Sequence, residues 1–225
     1  MEKYKTNLSK RIITSLILLL IISLSLFYDK NLWLFFLIIV SLILFIEFNN
    51  LTKKIWKNKK NTITSINLIS LIFLVIIIFI SYDFYRKPPV GLVFIFLICI
   101  FSDTGGYVIG NLIGGKKLTK ISPNKTISGS IGSFIFSLFS IIILWLYYSL
   151  TDVLVDTENF LKLIPICLFL CLICQLGDLF ISYLKRRAKV NDTGSILPGH
   201  GGLLDRIDGV IFVIPAAYLI DKVFF

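Results

Sequence analysis

Seven apolar stretches rich in Ile, Leu and Phe, at 12–27, 32–48, 66–82, 90–102, 131–150, 160–176 and 207–225, alternate with short polar segments. A helix needs roughly 17 to 25 mostly apolar residues to cross the hydrocarbon of a bilayer, and each stretch meets or approaches that length. Backbone amides and carbonyls find no water there, so an apolar run must satisfy them internally as helix. The pattern predicts an all-α fold, a polytopic integral membrane protein with about seven transmembrane helices. No internal repeat or low-complexity linker interrupts it. Residues 1–225 therefore read as a single membrane domain, with N-terminal spans in 1–100 and the polar motifs in 101–225.

The polar segments carry a charge bias that sets an orientation. All but five of the 23 Lys and Arg residues fall in 1–11, 49–65, 103–130 and 183–206, which alternating spans place on one side; the exceptions are Lys30, Arg86, Lys87, Lys162 and Lys222. Positively charged loops stay inside, which predicts a cytoplasmic N-terminus and an outer C-terminus. The loop 151–159, acidic and without Lys or Arg, fits the outer side. A basic start before an apolar run is also the form of a secretory signal, but no small-residue cleavage site follows, so 12–27 is expected as a retained anchor. The net charge of +10 then follows from topology and anionic headgroups, and nucleic acid is not an expected partner. Cys99, Cys167, Cys171 and Cys174 all lie in apolar spans. The CLIC run at 171–174 has CxxC spacing without the polar neighbours of a metal or redox site, so packing is expected.

Ionisable side chains beside or inside spans are functional candidates, because each costs about 2.5–3.5 kcal/mol at a bilayer centre. They concentrate in SDTGGYVIGNLIGGKKLTKISPNKTISGS (102–130), QLGDLFISYLKRRAKVNDTGS (175–195) and PGHGGLLDRIDG (198–209). If the sixth span continues as helix, Asp178, Ser182 and Lys185 or Arg186 share one face at i, i+4 and i+7 or i+8. A carboxylate, a hydroxyl and a cation so arranged suit a metal-bound phosphate. Lys185, Arg186 and Arg187 also serve as a positive flank, but Asp178 follows the apolar CLICQLG and has no topological reason to be there. Pro198 and the glycines delay the last helix to about Leu203, which puts Asp205 and Asp208 at i, i+3 on one face. Such a pair can share a divalent cation, or simply favour the positive end of a helix. Gly106, Gly110 and Gly114 at four-residue intervals point to close helix packing. Asp103 ends the fourth span, and SPNKTISGS (122–130) offers Ser, Lys, Thr and Gly before a helix without the P-loop pattern.

Taken together these motifs resemble the phosphatidate cytidylyltransferases, also called CDP-diacylglycerol synthases. The resemblance covers roughly 100–209 and rests on Ser182, Lys185 and Arg186, then Asn191-Asp192, Pro198–Gly202, and Asp205, Arg206 and Asp208. Gly177-Asp178, the Asp103–Tyr107 run and the Ser122–Thr126 run reinforce it. Asn191 stands where the pattern usually has Lys, with Lys189 nearby, and Ser128 where many relatives have Glu.

The resemblance implies that phosphatidate attacks CTP to give CDP-diacylglycerol and pyrophosphate, with Mg²⁺ and, in some relatives, a monovalent cation such as K⁺. It assigns Asp178, Asp205 and Asp208 to metal, and Lys185, Arg186, Lys125 and Arg206 to phosphate charge. Ser122, Thr126, Ser182 and the amides of Gly201 and Gly202 would orient phosphates, and His200 would donate to the triphosphate or leaving pyrophosphate. Asp103 and Asp192 would support substrate binding. CTP is cytosolic and the lipid tails stay in the bilayer, so the site is expected at the cytoplasmic face of the cell membrane. A homodimer is expected by analogy. A CTP-dependent polyprenol or dolichol kinase is the nearest rival. A CDP-alcohol phosphotransferase lacks its Asp-Gly-x-x-Ala-Arg run here. A cation channel would spread its acids through the membrane depth, whereas these gather at one face.

Overall fold

The computed structural model describes residues 2–57, 59–86, 88–151, 157–199 and 201–224. Among them the chain is helical, without a β-strand: α1 (Glu2–Tyr28), α2 (Lys30–Ile55), α3 (Lys60–Phe84), α4 (Val90–Ile113), α5 (Ile127–Ser137), α6 (Phe139–Leu150), α7 (Thr157–Ala188), α8 (Leu204–Ile207) and α9 (Val210–Phe224). Among the described residues five segments are long and apolar enough to cross a membrane: α2, α3, α4, the α5–α6 pair and α7. The apolar part of α1, Ile13–Tyr28, is shorter. So is α9, whose 15 residues rise about 22 Å against roughly 30 Å of hydrocarbon. The expected span at 207–225 is thus broken near its start, and the expected fourth span runs on past 102 to Ile113.

Residue contacts divide the chain, expected as one domain, into two compact units interleaved in sequence, Met1–Pro89 with Leu184–Ile207, and Val90–Tyr183 with Asp208–Phe225. In the first unit, α2 buries Trp33, Leu37, Ser41, Leu44, Glu47 and Leu51 at three- and four-residue intervals, a single stripe along one helix face. Its opposite side stays apolar and outward, as at Phe35 and Leu42, which suits lipid. Beyond the stripe α2 and α3 join through polar groups: Asn67 donates its amide to Asn49 at 2.7 Å, and Thr52 donates to Asn67 at 3.0 Å. The Tyr85 hydroxyl reaches back to the Leu26 carbonyl at 3.0 Å.

In the second unit α4 and α5 meet backbone to backbone. A Cβ on Gly132 would lie 2.5 Å from Ile109 Cβ and 2.7 Å from the Gly105 carbonyl, and one on Gly129 would lie 2.7 Å from the Gly106 carbonyl. Small residues permit this approach where water supplies no drive for association. Gly106 and Gly110 therefore pack as expected, whereas Gly114 lies past the helix end at φ +63°, donating its amide to the Gly110 carbonyl. The α5–α6 break at Leu138 falls where the Ser137 carbonyl accepts from Ser140 Oγ at 2.6 Å and Cys167 Sγ at 3.2 Å. Along α7, Cys167, Leu170, Cys171 and Cys174 form the buried stripe, and all four cysteines of the chain are free, buried thiols.

Candidate functional site

In the second unit α4, the 118–126 segment, α5 and α7 surround a cavity of about 350 Å³. Asp103, Ser122, Lys125, Thr126 and Asp178, singled out from separate parts of the sequence, all line it. Thr126 is the N-cap of α5, its side chain accepting the Gly129 amide at 3.0 Å, which fixes the turn that carries Lys125. The turn is closed by the Lys125 amide on the Ser122 carbonyl at 3.1 Å. Ser128, the position departing from Glu, donates to the Gly114 carbonyl, a local tie.

Asp178 projects from α7, accepting hydrogen bonds from Lys125 Nζ and, at 3.3 Å, from Ser182 Oγ. The i, i+4 spacing expected between Asp178 and Ser182 thus becomes a contact. Asp208 lies in the turn between α8 and α9 and shares a hydrogen bond with Asp178. Burial, then the Asp178 charge and hydrogen bond, then Asp103, push its carboxyl up to about 8. Gly177 and Gly209 let the two segments approach: a Cβ on Gly177 would lie 2.8 Å from the Asp208 carbonyl, and one on Gly209 2.5 Å from Cys174 Sγ.

Asp205 and Asp208 do not share a helix face. The helix α8 ends at Ile207 and α9 begins at Val210, and the Gly209 amide turns to Asp208 Oδ1 at 3.0 Å. Asp205 is held within the first unit. Its Oδ1 accepts Lys185 Nζ at 2.7 Å, and its Oδ2 accepts the Thr193 amide at 2.7 Å, the Thr193 hydroxyl at 2.9 Å and the Gly202 amide at 3.1 Å. Burial pushes this carboxyl up, but the Lys185 hydrogen bond, the Thr193 amide and the Lys185 charge outweigh it and hold it below the usual carboxylate range.

The two amides expected to cradle phosphate are engaged in this conformation, Gly202 with Asp205 and Gly201 with the Leu197 carbonyl at 3.2 Å. Gly201 has φ +85°, and a Cβ there would meet Asp192 at 3.0 Å, so Asp192 packs over that glycine. Arg186 lies in the last turn of α7 and Arg206 in α8. His200 lies outside the described residues. Past α7, Lys189 adopts φ +56°, and the Val190 amide closes the helix end on the Lys185 carbonyl at 3.0 Å.

Among the described residues no three His, Cys, Asp or Glu side chains converge to hold an ion. The Asp178–Asp208 pair nevertheless fits Mg²⁺, which binds oxygen and takes one or two carboxylates together with substrate phosphates rather than a full protein cage. Burial first, then the Asp178 and Asp103 charges, disfavour the Asp208 anion, and nearby positive charge would favour it.

Sequence reasoning passed over three contributors. Glu47, 1% exposed in α2, accepts the amides of Leu203 and Leu204 and the Thr193 hydroxyl. It is the one ionisable residue of the apolar stretch 32–48, a signal that intramembrane charge marks function. Gln175 accepts from Ser130 Oγ at 2.5 Å on the cavity wall, a polar residue amid CLICQLG. Thr193, in an ordinary loop sequence, gave no signal.

A profile of the cytidylyltransferase family matches residues 48–224. The chain is similar to the phosphatidate cytidylyltransferase of Bacillus subtilis (strain 168), 41% identical over 138 residues, 60% of this chain and 49% of that protein. It is likewise similar to the phosphatidate cytidylyltransferases of Staphylococcus haemolyticus (strain JCSC1435), 44% identical, and Staphylococcus aureus (strain COL), 45% identical. Each of these alignments spans 137 residues, 59% of this chain and 50% of the relative. The chain spans about half the length of these relatives. With the family profile covering most of its residues, including every motif of the polar segments from Asp103 to Asp208, the chain belongs to the cytidylyltransferase family.

Proposed function

We propose that the chain is a phosphatidate cytidylyltransferase, transferring CMP from CTP to phosphatidate to give CDP-diacylglycerol and pyrophosphate. The observation that carries this reading is the cavity that gathers Asp103, Ser122, Lys125, Thr126 and Asp178, with Asp208 bonded to Asp178. A phosphate monoester has its second pKa near 6, so the attacking oxygen is already largely anionic at neutral pH and needs no strong base. It forms a bond to the α-phosphorus of CTP while the bond from that phosphorus to the bridging oxygen breaks, and pyrophosphate leaves with the electron pair.

The barrier is the approach of two anions. Lys125, Lys185, Arg186 and Arg206 neutralise charge, Ser122, Thr126 and Ser182 orient phosphate oxygens, and His200 donates to the departing pyrophosphate. Asp178 and Asp208 would hold Mg²⁺, which supplies charge neutralisation on the triphosphate when bound. Asp205 would hold Lys185 and the chain at Thr193 and Gly202. A monovalent cation such as K⁺ would add to the same neutralisation. The distribution of Lys and Arg supports a cytoplasmic N-terminus and a site facing the cytoplasm.

CTP labelled on the α- or the γ-phosphate tests the reading, with membranes containing the chain, phosphatidate and Mg²⁺. Transfer of the α-label to lipid is expected; a lipid carrying only the γ-label would make the protein a kinase instead.

A further inference from the structure

Glu47 occupies the buried stripe of α2, where an ionisable group is costly. Among the described residues its hydrogen-bond partners lie at Thr193, Leu203 and Leu204, in the chain before α8 and at its first residue. Oε1 accepts the Leu203 amide at 2.9 Å; Oε2 accepts the Leu204 amide at 2.9 Å and the Thr193 hydroxyl at 3.0 Å. The loop closes around the carboxylate by means of glycine. A Cβ on Gly194 would fall 2.6 Å from Oε1, and one on Gly202 would fall 2.6 Å from Oε2 and 2.0 Å from Thr193 Oγ1. The Thr193 hydroxyl also lies 2.9 Å from Asp205 Oδ2, so a single residue spans the two carboxylates. With one proton to donate, it serves one of them at a time.

We propose that Glu47 is a positioning residue for cytidylyl transfer: it holds Thr193 by its hydroxyl and Leu203 and Leu204 by their amides and, through Thr193, sets Asp205 and the lysine that Asp205 holds. It touches no substrate. Its catalytic consequence rests on the function proposed above, while its grip on the loop does not.

Glu47→Gln separates this role from space filling. Glutamine has the same volume, but it replaces one acceptor oxygen with a donor that faces an N–H, so the Leu203 and Leu204 amides cannot both be satisfied. The full chain in detergent is read in two ways: amide hydrogen exchange of the 193–205 segment, and kcat and KM for α-labelled CTP. In E47Q the segment is expected to exchange about tenfold faster or more while the rest of the protein stays protected. Its kcat is expected to fall roughly 10- to 100-fold, as for other residues that orient a site from behind. Thr193→Val should show the same pattern more weakly, and Thr193→Ser should restore both readouts.

Exchange of the segment at the wild-type rate in E47Q overturns the proposal, as does a fall in kcat without faster exchange. If E47Q does not fold, T193V against T193S decides by the same two readouts. If the wild-type chain transfers no CMP, the proposed function fails, and exchange alone decides whether Glu47 holds the loop.

Discussion

Asp205 and Asp208 stand three residues apart and meet opposite surroundings. Asp205 accepts from a lysine, two amides and a hydroxyl and is held as an anion. Asp208 is half-buried beside Asp178 with Asp103 adding to the repulsion, and its carboxyl rises to about 8. Four protein donors make Asp205 a structural strut, whereas Asp178 and Asp208 lie together with Lys125 bonded to Asp178, an arrangement that further positive charge would favour. The sequence DRID conceals this difference, because the helix that would have made the two acids equivalent breaks at Asp208-Gly209.

The largest expected effect is on the crowded pair. Asp178→Asn and Asp208→Asn should each lower CMP transfer about 100-fold or more, the scale for losing an electrostatic stabiliser of the reaction. Full activity in both would remove the cation-binding role. Asp205→Asn should instead damage fold and activity together, at roughly 1–3 kcal/mol of stability for a buried hydrogen-bonding group left with imperfect partners. Its sign with pH follows from the lowered carboxyl: the contribution is present above the ordinary carboxylate pKa and fades as pH falls through the folded one. The gap in melting temperature between wild type and D205N should therefore close on acidification; a gap that widens would contradict the strut.

Packing supplies a control without charge. Gly132→Ala forces a methyl against Ile109 and the Gly105 carbonyl, which should cost about 1–3 kcal/mol of thermal stability at every pH. A cost confined to one end of the pH range would tie this contact to the acids. The last effect runs upward with pH. Asp208, raised from 3.8 to about 8, weakens the metal-free protein progressively as pH climbs through that interval, most of all above 8. In chelator, D208N should melt clearly higher than wild type at pH 9 and nearly equally at pH 4. A lower melting point at pH 9 would mean that Asp208 is not crowded.

The helices were legible because lipid imposes a long apolar run on each span, and α2, α3 and α7 contain the stretches expected for them. Span ends were less so: α4 continues through Asp103 and Gly110 because glycine packing against α5, rather than hydropathy, supports its last turns. Within the candidate site, Asp178, Ser182 and Lys125 stood out as polar residues against an apolar or motif background. Periodicity could not foretell that Lys125 would pair with Asp178, because that contact depends on the turn capped by Thr126. Nor could it tell what Glu47 binds: the acid stands out in its apolar stretch, but its partners lie 146 to 157 residues further on.

That separation has a consequence for biogenesis. The Glu47 carboxylate meets Thr193, Leu203 and Leu204 across 146, 156 and 157 residues. Synthesis proceeds from the N-terminus, so α2 is made long before the groups that hydrogen-bond its acid. A chain interrupted before Leu203 leaves that acid without its two amide partners in an otherwise apolar helix.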